Sequence, residues 1–135
     1  VKVPLSNVRW WPGFLDSLKA MVSFLRSRTL RPVLVRGLGA MGKHGLASVI
    51  NVLSLPTFAQ WRWRTLEAVC VELNKCLYSW SEHFDPSWYS PTTRSSVEFQ
   101  KVSRALSSAI FLALFAFVLW FSVWIGGIQG ICKQH

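Results

Sequence analysis

The stretch AIFLALFAFVLWFSVWIGGI, residues Ala109 to Ile128, decides the fold of this chain. Ser122 carries its only polar side chain, and the run without charge extends from residue 105 to residue 132. A helix of about 20 apolar residues, at about 1.5 Å per residue, is long enough to cross a bilayer. Because 135 residues make one domain at most, the rest of the chain is too small to surround such a helix. The stretch therefore predicts a transmembrane span over about residues 105–131.

The basic residues lie almost entirely on one side of this span. The chain carries 15 Lys and Arg against 6 Asp and Glu, a net charge of +9. Residues 1–64 hold ten basic residues and one acidic residue, Asp16, whereas Lys133 is the only charge after residue 104. Segments on the cytoplasmic or matrix side of a membrane are enriched in Lys and Arg. The distribution predicts a single-pass protein whose N-terminal side lies in the cytoplasm, or in the matrix if the membrane is mitochondrial.

Composition and spacing exclude several classes of protein. Hydrophobic residues make up 51% of the chain, which excludes intrinsic disorder, and the length excludes a two-domain enzyme. His44, His83 and His135 are isolated in sequence, so no metal site and no catalytic group is predicted. No C-x-x-C occurs, and Cys70 and Cys76 are too far apart around a helix to face each other. The cysteines are predicted to be reduced and packed rather than paired.

Gly37, Gly39 and Gly42 match the G-x-G-x-x-G pattern of dinucleotide-binding folds. That fold also needs a βαβ unit and an acidic residue about 20 positions further on. The first acid after the motif is Glu67, and no second strand is visible. We therefore predict no bound cofactor, and we interpret the glycines as a flexible turn between two helices.

Residues 1–45 are interpreted as a basic amphipathic N-terminal extension. Over residues 14–28, an apolar stripe at helical spacing faces away from most of the charged residues. The stripe consists of Phe14, Leu18, Met21 and Leu25. Such a basic helix can lie in the bilayer interface or pack on protein, and in a membrane complex it can do both, so the sequence leaves these possibilities open.

Residues 46–94 are predicted to form a helical, membrane-peripheral region. A short helix over 46–55 ends at Pro56, and a longer helix is predicted over 58–82. The longer helix carries apolar residues at alternating steps of four and three, which indicates a heptad seam that needs a partner helix. The seam consists of Ala59, Trp63, Leu66, Cys70, Leu73, Leu77 and Trp80. The partner could come from this chain or from another subunit.

Residues 95–135 are predicted to form one long helix that contains the span. Ser95 and Glu98 have the spacing of a capping box, from which a helix could run unbroken from about residue 96 to about residue 131. The chain as a whole is thus predicted to be an all-α membrane protein, with amphipathic N-terminal helices and one C-terminal transmembrane helix.

Gly126 and Gly130 form a G-x-x-x-G motif near the far end of the span. Glycines four residues apart leave a groove on one helix face, so that a partner helix can approach closely. Gln129 could add a hydrogen bond between the two helices. The motif predicts helix–helix packing through Gly126, Gln129 and Gly130.

The C-terminal half resembles subunit g of mitochondrial F-type ATP synthase. In that family an aromatic-rich stretch leads into G-E-x-x-G, and here residues 120–125 lead into Gly126-Gly127-Ile128-Gln129-Gly130. The glycines of the family fall on Gly126 and Gly130, but the buried Glu falls on Gly127, so that carboxylate is absent here. Upstream, Pro56 and the tripeptide Val71-Glu72-Leu73 are similar to the family's pattern. The resemblance covers about residues 46–131.

The resemblance implies a non-catalytic subunit in the mitochondrial inner membrane, with its N-terminal side in the matrix. Subunit g pairs with subunit e through the glycine face, and the two support enzyme dimers and membrane curvature at cristae. The partners implied are therefore a helix like that of subunit e and an anionic lipid such as cardiolipin. The residues expected to contact lipid headgroups are Arg62, Arg64, Arg94, Lys101 and Arg104.

Two alternatives remain open from the sequence. One is a single-span accessory subunit of another respiratory-chain complex, with the same composition. The other is a membrane-tethered binder of nucleic acid or of a lipid surface, since Trp61-Arg62-Trp63-Arg64 interleaves aromatic and basic groups. A membrane anchor uses that pattern equally well, so nucleic acid is not expected to be a partner.

Overall fold

The computed structural model of the protein describes residues 8–56 and 63–133, and it describes their side chains except at residues 63, 64 and 129–133. The described residues form eight α-helices and no strand, which confirms the all-α prediction. A short 3₁₀ helix, Pro86–Trp88, lies between the fifth and sixth α-helices. The α-helices are α1 (Trp11–Arg26), α2 (Leu30–Ala40), α3 (His44–Asn51), α4 (Trp63–Asn74), α5 (Leu77–His83), α6 (Pro91–Arg94), α7 (Val97–Ser107) and α8 (Ala109–Lys133).

Helix α1 buries its apolar stripe against protein. It starts with Pro12 in its first turn, where the missing N–H costs nothing, and it packs along α7 and α2. The structure shows that this helix packs on protein, because α7 and α2 cover its apolar stripe, while contact of the helix with a bilayer interface stays a prediction. The buried residues of the predicted stripe are Phe14, Leu18, Met21 and Leu25.

The last turn of α1 is fixed by a cluster of aromatic rings. The ring of Phe24 lies 5.5–6.2 Å from four other rings that come from α5, α7 and the segment between α5 and α6. Those rings belong to Trp80, Phe84, Tyr89 and Phe99. The hydroxyl of Tyr89 donates a hydrogen bond to the carbonyl of Leu30 at 3.1 Å, which ties the cluster to the start of α2. Residues before position 45 therefore belong to the same core as the later helices.

The G-x-G-x-x-G motif, which begins at Gly37, is helical rather than a turn over most of its length. Gly37 and Gly39 lie inside α2, and only Gly42, with φ of +79°, adopts the left-handed conformation of a turn. The prediction of a flexible turn is therefore wrong for the first two glycines. At Gly37 a Cβ atom would lie 2.5 Å from Cε3 of the Trp88 indole, so the glycine allows the ring to pack on the helix.

The long helix predicted over 58–82 is two helices in the part that the structure describes, while residues 57–62 lie outside it. Helix α4 ends at Asn74, and α5 begins at Leu77. The chain tightens at the break, because the N–H groups of Lys75 and Cys76 bond to carbonyls three residues back.

The heptad seam is nevertheless confirmed as a buried face, and its partner comes from this chain. Helix α4 packs against α8, and α5 packs against α7. Of the seven predicted seam residues, Ala59 and the side chain of Trp63 lie outside the described part. The other five have no exposed surface: Leu66, Cys70, Leu73, Leu77 and Trp80.

The C-terminal helix is likewise interrupted, at Ser108. This residue has an extended backbone (φ −96°, ψ 112°), and its Oγ accepts a hydrogen bond from the N–H of Phe111 at 3.1 Å. The prediction of one unbroken helix is wrong, because a serine side chain competes with the helical backbone for hydrogen bonds. The cap of α7 is also one residue later than predicted: Ser96 accepts from the N–H of Phe99, while the hydroxyl of Ser95 donates to the carbonyl of Thr92.

Candidate functional site

Helix α8 has one covered stripe. Its buried residues recur at steps of four, three and four, which is the spacing that keeps one face toward a packed partner helix. They are Phe111, Phe115, Val118 and Ser122. The hydroxyl of Ser122 donates to the carbonyl of Leu119 at 2.9 Å, so its burial leaves no polar group unsatisfied.

The opposite face of α8 is apolar and exposed. Residues Ala109 to Ile128 have a mean hydropathy of 2.4, yet only 22% of the most apolar window is buried inside the protein. Ile110 is 74% exposed and Trp120 is 61% exposed, and the rings of Trp120 and Trp124 stack at 6.1 Å. The other large exposed side chains of this helix are Phe117, Val123 and Ile128. An apolar surface of this extent is unfavourable in water and marks a contact with lipid or protein.

Helices α4 and α5 run antiparallel to α8. At one end the carboxylate of Glu67 contacts Gly126, and at the other the ring of Tyr78 lies 6.4 Å from that of Phe115. The outer side of α4 is mixed: Val71 is 43% exposed, whereas Glu72 forms a 2.5 Å ion pair with Lys75, just after the helix. Helix α8 is therefore covered by α4 and α5 on one side and has an open apolar surface on the other.

The first glycine of the G-x-x-x-G motif, Gly126, packs against another helix of this same chain. A Cβ atom at Gly126 would lie 2.5 Å from Oε2 of Glu67, whereas a Cβ atom at Gly127 would meet nothing within 4 Å. The close approach at Gly126 is thus made by a side chain of α4. Gly130 lies in α8, but its surroundings and the side chain of Gln129 are not described, and packing of this motif on another subunit stays a prediction.

Glu67 is a site residue that the sequence did not indicate. The heptad pattern predicted that α4 needed a partner helix, but it did not name α8, so no pairing of Glu67 with the glycines could be inferred. With α8 as the partner, the antiparallel direction brings the start of α4 to the end of α8.

The residues expected to contact lipid headgroups have different environments. Arg94 and Arg104 are exposed and have no ion pair within the described residues. Lys101 donates to Asp16 of α1 at 2.8 Å, so its charge already has a partner. Arg62 and the side chain of Arg64 lie outside the described part, and the lipid contact itself stays a prediction.

The two described cysteines are buried free thiols, as the sequence predicted. Burial raises the pKa of Cys70 to about 12, and burial followed by the charge of Glu72 raises the pKa of Cys76 to about 12. Both thiols are therefore protonated at neutral pH, which makes them poor nucleophiles and poor metal ligands. Within residues 8–56 and 63–133, no group of three or more His, Cys, Asp or Glu side chains is placed to hold a metal ion.

Comparisons with known proteins do not add to these observations. No protein-family model matches this chain, and neither the curated proteins nor the solved structures searched give a match.

Proposed function

We propose that this protein is a non-catalytic membrane subunit that is anchored in the bilayer by α8. The exposed apolar face of α8 carries this proposal, because 20 residues of such hydropathy are long enough to span and only one stripe of them is covered. The covered stripe then faces α4 and other helices of this chain. The aromatic face, with Trp120 and Trp124, meets lipid or a helix of a partner.

The layout of charge supports an orientation with the N-terminal side on the inner side of the membrane, which is the matrix if the membrane is mitochondrial. Arg104 lies in the last turn of α7, four residues before the break at Ser108 where the apolar helix starts. Basic residues next to the entrance of a span favour the inner side of a membrane and attract anionic headgroups. Arg94 and Arg104 are the exposed candidates for contact with cardiolipin.

We infer mitochondrial ATP synthase as the complex, from the resemblance of residues 46–131 to subunit g. In that family an acidic residue follows the first glycine of the motif, whereas this chain has Gly127 there. Glu67 brings a carboxylate against the preceding glycine from α4, so the end of α8 still has an acidic neighbour. The expected role is support of enzyme dimers and of curvature at cristae, beside a helix like that of subunit e.

Co-purification tests this proposal. A tagged chain is recovered from inner membranes solubilised in digitonin, and the proteins that accompany it are identified by mass spectrometry. Recovery of ATP synthase subunits is expected. Recovery of cytochromes without synthase subunits would assign the chain to another respiratory complex instead, and release of the chain by alkaline carbonate would contradict the membrane anchor.

A further inference from the structure

Four arginines line one cavity of about 340 Å³ at the turn between α1 and α2. Arg26, Arg28, Arg31 and Arg36 contribute the charge, and the lining contains no acidic and no aromatic side chain. No acidic side chain in the lining offsets these four positive charges, so the cavity lies in an electropositive region of a chain whose net charge is already +9.

Two of these arginines hold the walls of the cavity together. The guanidinium of Arg31 donates to the carbonyls of Leu25 and Leu53, both at 3.1 Å. Arg26 donates to the carbonyl of Leu55. Together they fasten the extended segment after α3 to the end of α1, and backbone carbonyls satisfy part of their hydrogen-bonding capacity without neutralising their charge.

The other two arginines are available to a ligand. Arg28 and Arg36 are exposed and make no ion pair with any side chain that the structure describes. Among the described residues, no ion pair joins any of the four arginines to an acidic side chain, whereas Asp16 pairs with Lys101 and Glu72 pairs with Lys75. The charge of the cavity is therefore not cancelled from within the fold.

We propose that this cavity binds a phosphate-bearing anion through Arg28 and Arg36. The charges of Arg26 and Arg31 add to the positive potential of the cavity. A guanidinium presents two parallel N–H groups that match the oxygens of a phosphate, and such charge-assisted bonds are the strong ones. The volume lies at the low end for small-molecule sites, which suits one phosphorylated headgroup or a small diphosphate. The absence of aromatic rings from the lining disfavours single-stranded nucleic acid, which stacks its bases on such rings.

Recognition here does not depend on the start of α2. Its first free N–H groups are satisfied by Ser27, whose Oγ accepts from the N–H of Leu30 at 3.1 Å and whose carbonyl accepts from that of Arg31. The side chains of Arg28 and Arg36 must therefore provide the affinity, and they can be changed without removing a contact that holds the fold.

The test uses the full chain in a neutral detergent, with two probes. Inorganic pyrophosphate is titrated by calorimetry, and dioleoyl phosphatidate is compared with dioleoyl phosphatidylcholine as adducts in native mass spectrometry. The variant Arg28→Gln with Arg36→Gln should bind the phosphate probes roughly tenfold or more weakly. Binding of pyrophosphate alone indicates a free phosphate compound as the natural source, and binding of phosphatidate alone indicates a lipid headgroup.

A control variant that loses the same number of positive charges distinguishes binding at this site from general electrostatic attraction of anions to a basic protein. Arg9→Gln with Lys43→Gln removes two exposed cations elsewhere, and it should leave affinity within about twofold of the parent protein. Asn51→Asp, which places a carboxylate in the lining and deletes no arginine, should weaken binding as well. Equal weakening in both double variants, or no measurable binding of either probe to the parent protein, would overturn the proposal.

Discussion

A single glycine decides how the loop before α6 packs on α2. Gly37 and Gly39 both lie inside α2, but only Gly37 has a bulky neighbour, the indole of Trp88, whereas the nearest atom to a Cβ at Gly39 is 3.9 Å away on His44. Because the ring is rigid and partly buried, it cannot yield as a flexible side chain would.

We expect Gly37→Ala to lower the free energy of unfolding by about 1–3 kcal/mol, since the added methyl group displaces the Trp88 ring. Gly39→Ala is the matched control, and it should be neutral or stabilising by up to about 1 kcal/mol, because alanine is the better helix former. Urea unfolding followed by circular dichroism measures both. Equal effects of the two substitutions would show that Trp88 does not pack on Gly37.

Two buried thiols make stability depend on pH. The pKa of Cys70 and of Cys76 is raised from 9.0 to about 12, so the folded state keeps these protons while the unfolded state loses them above pH 9. Their contribution to stability is complete below pH 9 and is lost as the pH rises from 9 through 12. Burial raises the pKa of Tyr89 as well, which acts in the same direction.

We expect the free energy of unfolding to fall with pH above 9, by at most about 1.4 kcal/mol per pH unit for each thiol. Replacing Cys70 and Cys76 with alanine should make that decline shallower, even though the variant is less stable at pH 8. Denaturant titrations at intervals between pH 8 and pH 10.5 give the two slopes. An unchanged slope in the variant would mean that the thiols are not buried in the native state.

At the scale of the helix, sequence patterns identified the faces better than the ends. The stripe of α1 and the seam of α4 and α5 are buried as their spacing predicted. The breaks at Cys76 and Ser108 were missed, because both interrupt runs whose apolar spacing continues across them. A break of this kind depends on which backbone groups find other partners in the folded chain, and the spacing of side chains does not encode that.

The N-cap of α7 provides a direct test of how the start of a helix is fixed. Ser96→Ala should cost about 1 kcal/mol of stability, because its Oγ accepts the N–H of Phe99, a residue of the aromatic cluster around Phe24. Ser95→Ala removes an exposed hydroxyl that donates to the carbonyl of Thr92, and it should stay within about 0.5 kcal/mol of the parent protein. A larger loss at Ser95, measured by thermal and urea unfolding, would support the capping box expected from the sequence.

At the scale of the whole molecule, the sequence predicted the apolar helix but not what covers it. The stretch from residue 109 to residue 128 is apolar on every face and has Ser122 as its only polar side chain, so its pattern does not distinguish the stripe under α4 from the open face. That distinction arises from the antiparallel pairing of α4 with α8, which joins segments about 50 residues apart. The contact of Glu67 with Gly126 follows from the same pairing, and so it could not be predicted from the motif alone.

The open face of α8 meets either a bilayer or water, and a charged substitution at Trp120 distinguishes these two surroundings. Trp120 is 61% exposed in the middle of α8, so in water a lysine there would be tolerated, whereas at the centre of a membrane helix a lysine costs about 2.5–3.5 kcal/mol. We expect Trp120→Lys to reduce the fraction of protein that resists alkaline carbonate extraction. Val52→Lys is the matched control, because Val52 is 77% exposed just after α3 and should tolerate the charge in either surroundings. If both variants stay in the membrane as the parent does, the aromatic face of α8 does not meet lipid and is covered by protein instead.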